Sequence, residues 1–561
     1  MKNKILATFS SLSVILLFIT AGFADNPIIQ TNYTADPAPM VHNDTVYLYT
    51  SHDEDDAISF HMLNWMCYTT TDMVNWTDHG IVASLQNFSW QAGNAWAPEG
   101  IYRNGKWYLY CPLTSSVNGN QMAVGVLTSN SPFGPFTDPI GKPLVCCSYD
   151  PTVFIDSASG QAYLYWGGNG PCYWVMLNAD MISVANSNQT ASINVSGCPT
   201  TASYQEGPWL DRKGNNYYLA WASDCCPEGI GYAMSSSPMG PWTCKGLIMN
   251  TDTASSGNHP GLVMNYKGNS YVFGFDYELQ KLRLGTKVGE RRSICVKPMT
   301  FNSDGTIVNV PWWGKGAPLP SVTQVGNLNP YDTTQAETIC WEVGVRTEVC
   351  SEGGLDVDSI HNGDFIKVKG VNFGSGGAKS FNARVASATS GGRIELHLDT
   401  TTGTLVGTDT VAGTGGWQTW TTKSCTVSGA TGVHDLYFKF TGGTGLLFNF
   451  NWWKFTSATG IRIMNGKNID QRNFLKVRTC SGSTTSLYLD FDASVPQGDV
   501  RVCLFDLTGR LATVLFAGRL SSSQLVLPVN RAEIRNGIYV IKVIKASLND
   551  KVILMRDIMI F

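Results

Sequence analysis

At 561 residues the chain is too long for one ordinary core, and two to four domains are expected. Charged residues make up only 15%, aromatics 11%, and there are 57 glycines, the profile of a β-sheet protein with many tight turns. A net charge of −4 excludes nucleic acid as the main partner. The chain opens Met1-Lys2-Asn3-Lys4, continues with an apolar run over residues 13–21, and reaches Gly22-Phe23-Ala24, which reads as a secretory signal peptide over residues 1–24. That run is too short for a membrane anchor, and no later segment is apolar for long enough to span a bilayer. The protein is expected to be secreted, extracellular or on the surface of a bacterium, where disulfides form. Fifteen cysteines include the adjacent pairs Cys146-Cys147 and Cys225-Cys226 and show none of the CxxC pairs of a zinc site.

A short strand signature then recurs five times: Val46-Tyr47-Leu48-Tyr49, Trp107-Tyr108-Leu109-Tyr110, Ala162-Tyr163-Leu164-Tyr165, Tyr217-Tyr218-Leu219-Ala220 and Ser270-Tyr271-Val272-Phe273. Counted between the central tyrosines, the steps are 61, 55, 55 and 53 residues, a period that suits a four-stranded propeller blade. A second echo, Ser131-Pro132-Phe133-Gly134-Pro135-Phe136 and Ser237-Pro238-Met239-Gly240-Pro241-Trp242, lies two periods apart. Five blades fill residues 27–315.

Upstream of each marker, nine to thirteen residues away, an ionisable side chain sits beside or near a proline: Asp36, Glu99, Asp150, Glu206 and His259. One such residue is explained as a turn former. Five in register place these side chains on the innermost strands, converging on the axis. Glycoside hydrolysis needs one carboxylic acid to protonate the leaving oxygen and one carboxylate to activate water or to attack. Asp36, Asp150 and Glu206 supply both, with a third acid to raise the pKa of the proton donor. Trp96, Trp166 and Trp209 offer flat faces to a sugar ring, or else pack between blades.

Tyr33-Thr34-Ala35-Asp36-Pro37, Ser148-Tyr149-Asp150-Pro151 and Tyr204-Gln205-Glu206-Gly207-Pro208 together resemble family 43 glycoside hydrolases. The resemblance implies a five-bladed propeller and an inverting, single-displacement reaction needing no cofactor. It makes Asp36 the general base, Asp150 the pKa modulator and orienter, and Glu206 the general acid. His259 matches a family histidine near the axis that helps hold a metal ion or water, and calcium on the axis is left open. Asp53, Glu54 and Glu99 are candidate substrate contacts without roles. Residues 33–54 and 68–76 look most like the arabinofuranosidase and xylosidase branches.

Residues 316–334, rich in Pro, Gly, Asn and Ser, read as a linker. Alternating segments over residues 335–456 predict a β-sandwich, with aromatics and amides together in Gly416-Trp417-Gln418 and Phe448-Asn449-Phe450. This stretch resembles a family 6 carbohydrate-binding module, a jelly-roll. The resemblance makes Trp417 and Asn449 the binding cleft and gives Gln335 and Glu337 a structural calcium. Val368 stands where a second aromatic is expected, and Asn451 replaces an aspartate.

Residues 471–561 carry twelve Lys/Arg against seven Asp/Glu and are again strand-like. Val502-Cys503-Leu504-Phe505-Asp506-Leu507-Thr508-Gly509-Arg510 and Asn536-Gly537-Ile538-Tyr539 resemble a C-terminal sorting domain of type IX secretion, which implies a secretion-machinery partner. The whole reads as an all-β, secreted hydrolase that removes α-L-arabinofuranosyl side chains from arabinoxylan. Its rivals are a β-xylosidase and a non-catalytic surface glycan-binding protein.

Overall fold

The structure, a computed structural model, describes residues 23–251, 258–313 and 319–457, and seven strands between residues 475 and 560. The signal-peptide reading therefore lies almost wholly outside the described residues. Among them, no helix is long and apolar enough to cross a membrane.

The five marker tyrosines fall on the second strands of five sheets: Thr45–His52, Lys106–Ser115, Ala162–Trp166, Asn216–Ser223 and Asn269–Asp276. Each pairs with an inner strand, in order Thr34–His42, Glu99–Arg103, Thr152–Ile155, Tyr204–Lys213 and Gly261–Tyr266. Neighbouring inner strands approach one another around a closed ring, the fifth beside the first. A Cβ on Gly261 would lie 2.4 Å from the Pro37 carbonyl oxygen, so this closure needs glycine. Both faces of a second strand are covered by adjoining strands and blades, so the apolar runs are continuous rather than alternating. All five residues of Ala162–Trp166 are buried. Asn43-Asp44 and Asn104-Gly105 have positive φ at both positions, as tight primed hairpin turns require.

The Ser-Pro-x-Gly-Pro echo also has a physical reason. The Tyr49 hydroxyl donates to the Pro132 carbonyl (2.9 Å), and the Tyr165 hydroxyl donates to the Pro238 carbonyl (2.6 Å). Each copy thus ties its blade to the preceding one. Cys198–Cys244 closes a loop of sequence separation 46 within the fourth blade region, about 4 kcal/mol of stabilisation on the chain-entropy account.

The stretch read as a linker is partly a strand. Leu319–Thr323 pairs antiparallel with Phe23–Asn26, so the chain returns to its beginning before the next module starts. That module is a sandwich of a six-stranded and a five-stranded sheet around Phe381, Phe438, Phe450, Trp453 and Phe455. It is docked onto blade 1. Thr338–Ile339 adds an edge strand to Trp76–Ser84, with Thr338 opposite Thr77. Asn75 exchanges two hydrogen bonds with the Lys369 backbone, at 2.9 and 2.8 Å.

Ser457–Phe561 forms a separate unit. It contains a three-stranded sheet and a four-stranded sheet, the latter with Gly498–Phe505 between Leu511–Leu520 and Gly537–Lys545. Of the sorting signature, residues 506–510 and 536 lie outside the described residues.

Candidate active site

Asp36 sits where the register of Thr34–His42 slips between Ala35 and Ala38, and Glu206 where Tyr204–Lys213 slips on both sides of it. Such bulges turn a side chain out of the ladder. Asp36 and Asp150 have φ of 54 and 55, left-handed conformations that non-glycine residues seldom adopt. The same local strain at equivalent points of two blades aims both carboxylates at the axis. Gly207 has φ of 58, and a Cβ there would fall 2.6 Å from the His259 ring, so glycine lets blade 5 close against Glu206.

Asp36 and Asp53 meet around one buried cation. Arg292 donates to Asp36 Oδ1 through Nη1 (2.9 Å) and clasps Asp53 through Nε (3.0 Å) and Nη2 (2.8 Å). The Ser51 hydroxyl donates to Asp36 Oδ2 at 2.5 Å, so both oxygens of Asp36 act as acceptors. The Tyr149 hydroxyl donates to Glu206 Oε2 at 3.1 Å and is itself held by Asn169 Nδ2 at 2.5 Å. His259 Nε2 lies 3.7 Å from Asp150 Oδ2. Glu228, buried beside these groups, takes the Asn258 N–H at 2.8 Å.

Burial and mutual repulsion govern the protons. Asp150 is pushed well above the carboxylate range by burial, then by the charges of Glu206 and Asp36. Burial also raises Glu206, with the Asp36 charge adding to it and the Tyr149 hydrogen bond opposing it. Glu228 rises to about 8, from burial first and then Glu206. Burial lowers His259, which favours the neutral ring. The site therefore sets Asp36, whose two oxygens both accept hydrogen bonds, opposite acids that burial raises above their ordinary values. Of those, Glu206 is only partly buried.

Residues 24–307 match the pattern of glycosyl hydrolases family 43, and residues 335–457 that of carbohydrate binding module family 6. The chain belongs to glycoside hydrolase family 43. It is a glycoside hydrolase that carries a family 6 module. An arabinoxylan arabinofuranohydrolase of Bacillus subtilis is 38% identical over 77% of this chain and 92% of its own length. A second, from Paenibacillus polymyxa, is 36% identical over 78% of this chain and 75% of its own. The crystal structure of a family 43 arabinoxylan arabinofuranohydrolase from Bacillus subtilis with cellotetraose superposes with a TM-score of 0.68, at 36% identity, covering 77% of this chain and 97% of that one.

The family 43 propeller brings Asp36, Asp150, Glu206 and His259 to one end of its channel. Trp96 stands at the rim of that end, partly buried, 5.2 Å from the ring of Phe60. The Arg292 guanidinium lies 5.3 Å from the Phe60 ring, which ties this aromatic pair to Asp36. Trp166 is a correction. It is fully buried on a second strand, packed 5.6 Å from Tyr173, and cannot touch a sugar. Glu99 is another. It lines a cavity of about 440 Å³ with Asp211 and His42, apart from Asp36, Asp150 and Glu206.

In the module, Trp417 and Asn449 line one small cleft with Glu348, Asp358 and Phe448. Asn449 donates to Glu348 at 2.6 Å. Val368 is fully buried in the sandwich core, so that position never faces a ligand, and the expectation of an aromatic there is withdrawn. Gln335 is exposed, whereas Glu337 is buried against the propeller. Glu337 Oε2 and Asp356 Oδ1 are both buried without a hydrogen-bond partner; after burial, Glu337 is raised by the charges of Asp78 and Asp356, and Asp356 by those of Glu348 and Asp358.

Arg292, Glu228, Tyr149 and Phe60 were not singled out by sequence reasoning. Tyr149 stands beside Asp150 in a family signature and could have been found. Phe60 and Glu228 lie between blade markers and Arg292 lies beyond the last, where the repeat offers no anchor.

Proposed function

We propose that this glycoside hydrolase removes α-L-arabinofuranosyl side chains from arabinoxylan with inversion of configuration. The arrangement that carries the reading is Asp36, an acceptor held by Arg292 and Ser51, set against Glu206, an acid raised by burial. Both arabinoxylan arabinofuranohydrolases that the chain resembles support the choice of substrate.

In this reading Asp36 takes a proton from a water molecule as its oxygen bonds to the anomeric carbon. The bond from that carbon to the xylan oxygen breaks, and Glu206 gives its proton to the departing oxygen. Asp150 and the Tyr149 hydroxyl position Glu206. Sugar analysis of the products separates the alternatives: arabinose from arabinoxylan supports the reading, and xylose from xylo-oligosaccharides alone makes the protein a β-xylosidase.

The module holds the enzyme on xylan through Trp417, stacked on a sugar ring, with Asn449 bonding a hydroxyl. Trp417→Ala is expected to weaken binding to insoluble xylan by about 2 kcal/mol, roughly thirtyfold in Kd, without changing kcat on soluble oligosaccharides. Unchanged xylan binding would place the cleft elsewhere.

The expected calcium ligands were Gln335 and Glu337; with Gln335 exposed, it is Glu337 and Asp356, with unpartnered buried oxygens, that suit a hard cation such as calcium, which would supply charge neutralisation at the join of module and propeller. Chelator is expected to lower Tm and added calcium to restore it; a Tm indifferent to both removes the cation. Export by the leader at residues 1–24, with residues 471–561 read by a type IX secretion machinery, completes the reading. Mass spectrometry of the protein recovered from medium tests it, since an uncut N-terminus would contradict export by that leader.

A further inference from the structure

Cys225 and Cys226 are joined to each other in the turn between Asn216–Ser223 and Gly229–Ser235 of blade 4. A bond between adjacent residues closes almost no length of chain, so the loop-closure stabilisation expected of Cys198–Cys244 does not apply. With both sulfurs bonded there is no thiolate to act as nucleophile or metal ligand. What remains is a small, closed, apolar ring carrying two polarizable sulfur atoms, and both cysteines are exposed.

Its position gives that surface a use. The turn leaves blade 4 at the end where the inner strand begins with Tyr204, two residues before Glu206; Ser223 pairs with Tyr204. A carboxylate oxygen of Glu228 and the two sulfurs all lie within 4.8 Å of one another. Glu228 in turn feels the charges of Glu206, Asp36 and Arg292. The disulfide therefore stands one side chain away from the catalytic acids. Blade 4 adjoins only blades 3 and 5, so Phe60 and Trp96, on blades 1 and 2, form the wall across the axis.

We propose that the Cys225–Cys226 disulfide is a sugar-binding plate at the mouth of the catalytic pocket, facing the Phe60–Trp96 wall and receiving the C–H face of the xylan residue that bears the arabinofuranosyl group. This rests on the arabinoxylan reading above. The ring is held in one shape before substrate arrives, so docking orders little of the loop. Glu228, below it, is the hydrogen-bond partner for the hydroxyls of the same sugar.

The test compares Cys225→Ala/Cys226→Ala with Cys225→Val/Cys226→Val, using a short arabinoxylo-oligosaccharide. The alanine pair is expected to raise KM on the order of tenfold with kcat within about twofold, and the valine pair to recover most of the affinity through apolar bulk. An unchanged KM overturns the plate. So does a fall in kcat at constant KM with a displaced pH profile, which would make the pair a staple that only positions Glu228. Titration of the same oligosaccharide into Glu206→Gln protein, with and without the two alanines and with Trp417→Ala in both, reads binding without turnover. A wild-type enzyme that releases no arabinose, together with a binding loss in that titration, would end the arabinoxylan reading and leave the plate standing. Turnover by the wild type with no binding loss would do the reverse.

Discussion

Glu206→Gln is expected to lower kcat on arabinoxylan by on the order of 10³-fold or more, at the upper part of the range for loss of a general acid. The xylan oxygen is a poor leaving group and departs only as it is protonated. A 4-nitrophenyl arabinofuranoside departs as a stable phenolate, so the same variant should lose far less on that substrate, below about 10²-fold. Equal losses on the two substrates would show that Glu206 is not the proton donor. The proton also predicts a pH dependence. Burial raises Glu206 above its ordinary 4.5 in the folded enzyme. Activity needs the protonated form, so it is retained below the raised pKa and lost as pH climbs through it. The Tyr149 hydrogen bond works against the rise. Tyr149→Phe should therefore move the alkaline limb to higher pH; a limb that moved down would reverse the account of that contact.

The second large effect concerns Arg292, the cation shared by Asp36 and Asp53. Arg292→Met keeps the stem of the side chain and removes the charge. Two carboxylates are then buried without a cation, and breaking such a pair costs about 3–5 kcal/mol. Asp53 already lies above its ordinary value through burial, even with Arg292 pulling it down. Without the guanidinium it rises further. A carboxylate raised on folding is tolerated below its unfolded pKa and penalised as pH climbs above that value. The deficit of the variant should accordingly be smaller near pH 4 than at pH 7, measured by denaturant unfolding at both. A deficit independent of pH would mean that packing around Phe60 and Phe275, not charge, is what Arg292 supplies.

The blades were legible because each repeats one marker that both neighbours must cover, and the inner-strand acids were legible because they keep a fixed distance from it. The spacing even contains the exception. Asp36, Asp150, Glu206 and His259 lie eleven to thirteen residues before their markers, whereas Glu99 lies nine before. A shift of two along a strand keeps the same face but moves the side chain toward the other end of the channel, where Glu99 is found. Trp166 misled because it ends a second strand, a position buried from both sides. Arg292 left no trace in the pattern. It lies 256 residues from Asp36, just before the third strand of blade 5, and only closure of the ring brings the two together. Glu228 and the disulfide belong to a turn between strands, whose place over the pocket follows from the blade and not from its own residues. In the module, Trp453 and Val368 are both core residues, so Val368 was assigned to the wrong side, and the run of aromatics beside amides did not itself separate core from cleft.

Proton NMR of the arabinose released in the first minutes of hydrolysis of arabinoxylan tests the central claim most directly. An α-linked substrate should yield β-arabinofuranose first, with the α form appearing only as the free sugar equilibrates, because Asp36 directs water to the face opposite the departing oxygen. Arabinose that appears first in the α configuration would require two displacements and a covalent sugar–enzyme intermediate, and would contradict the roles given to Asp36 and Glu206.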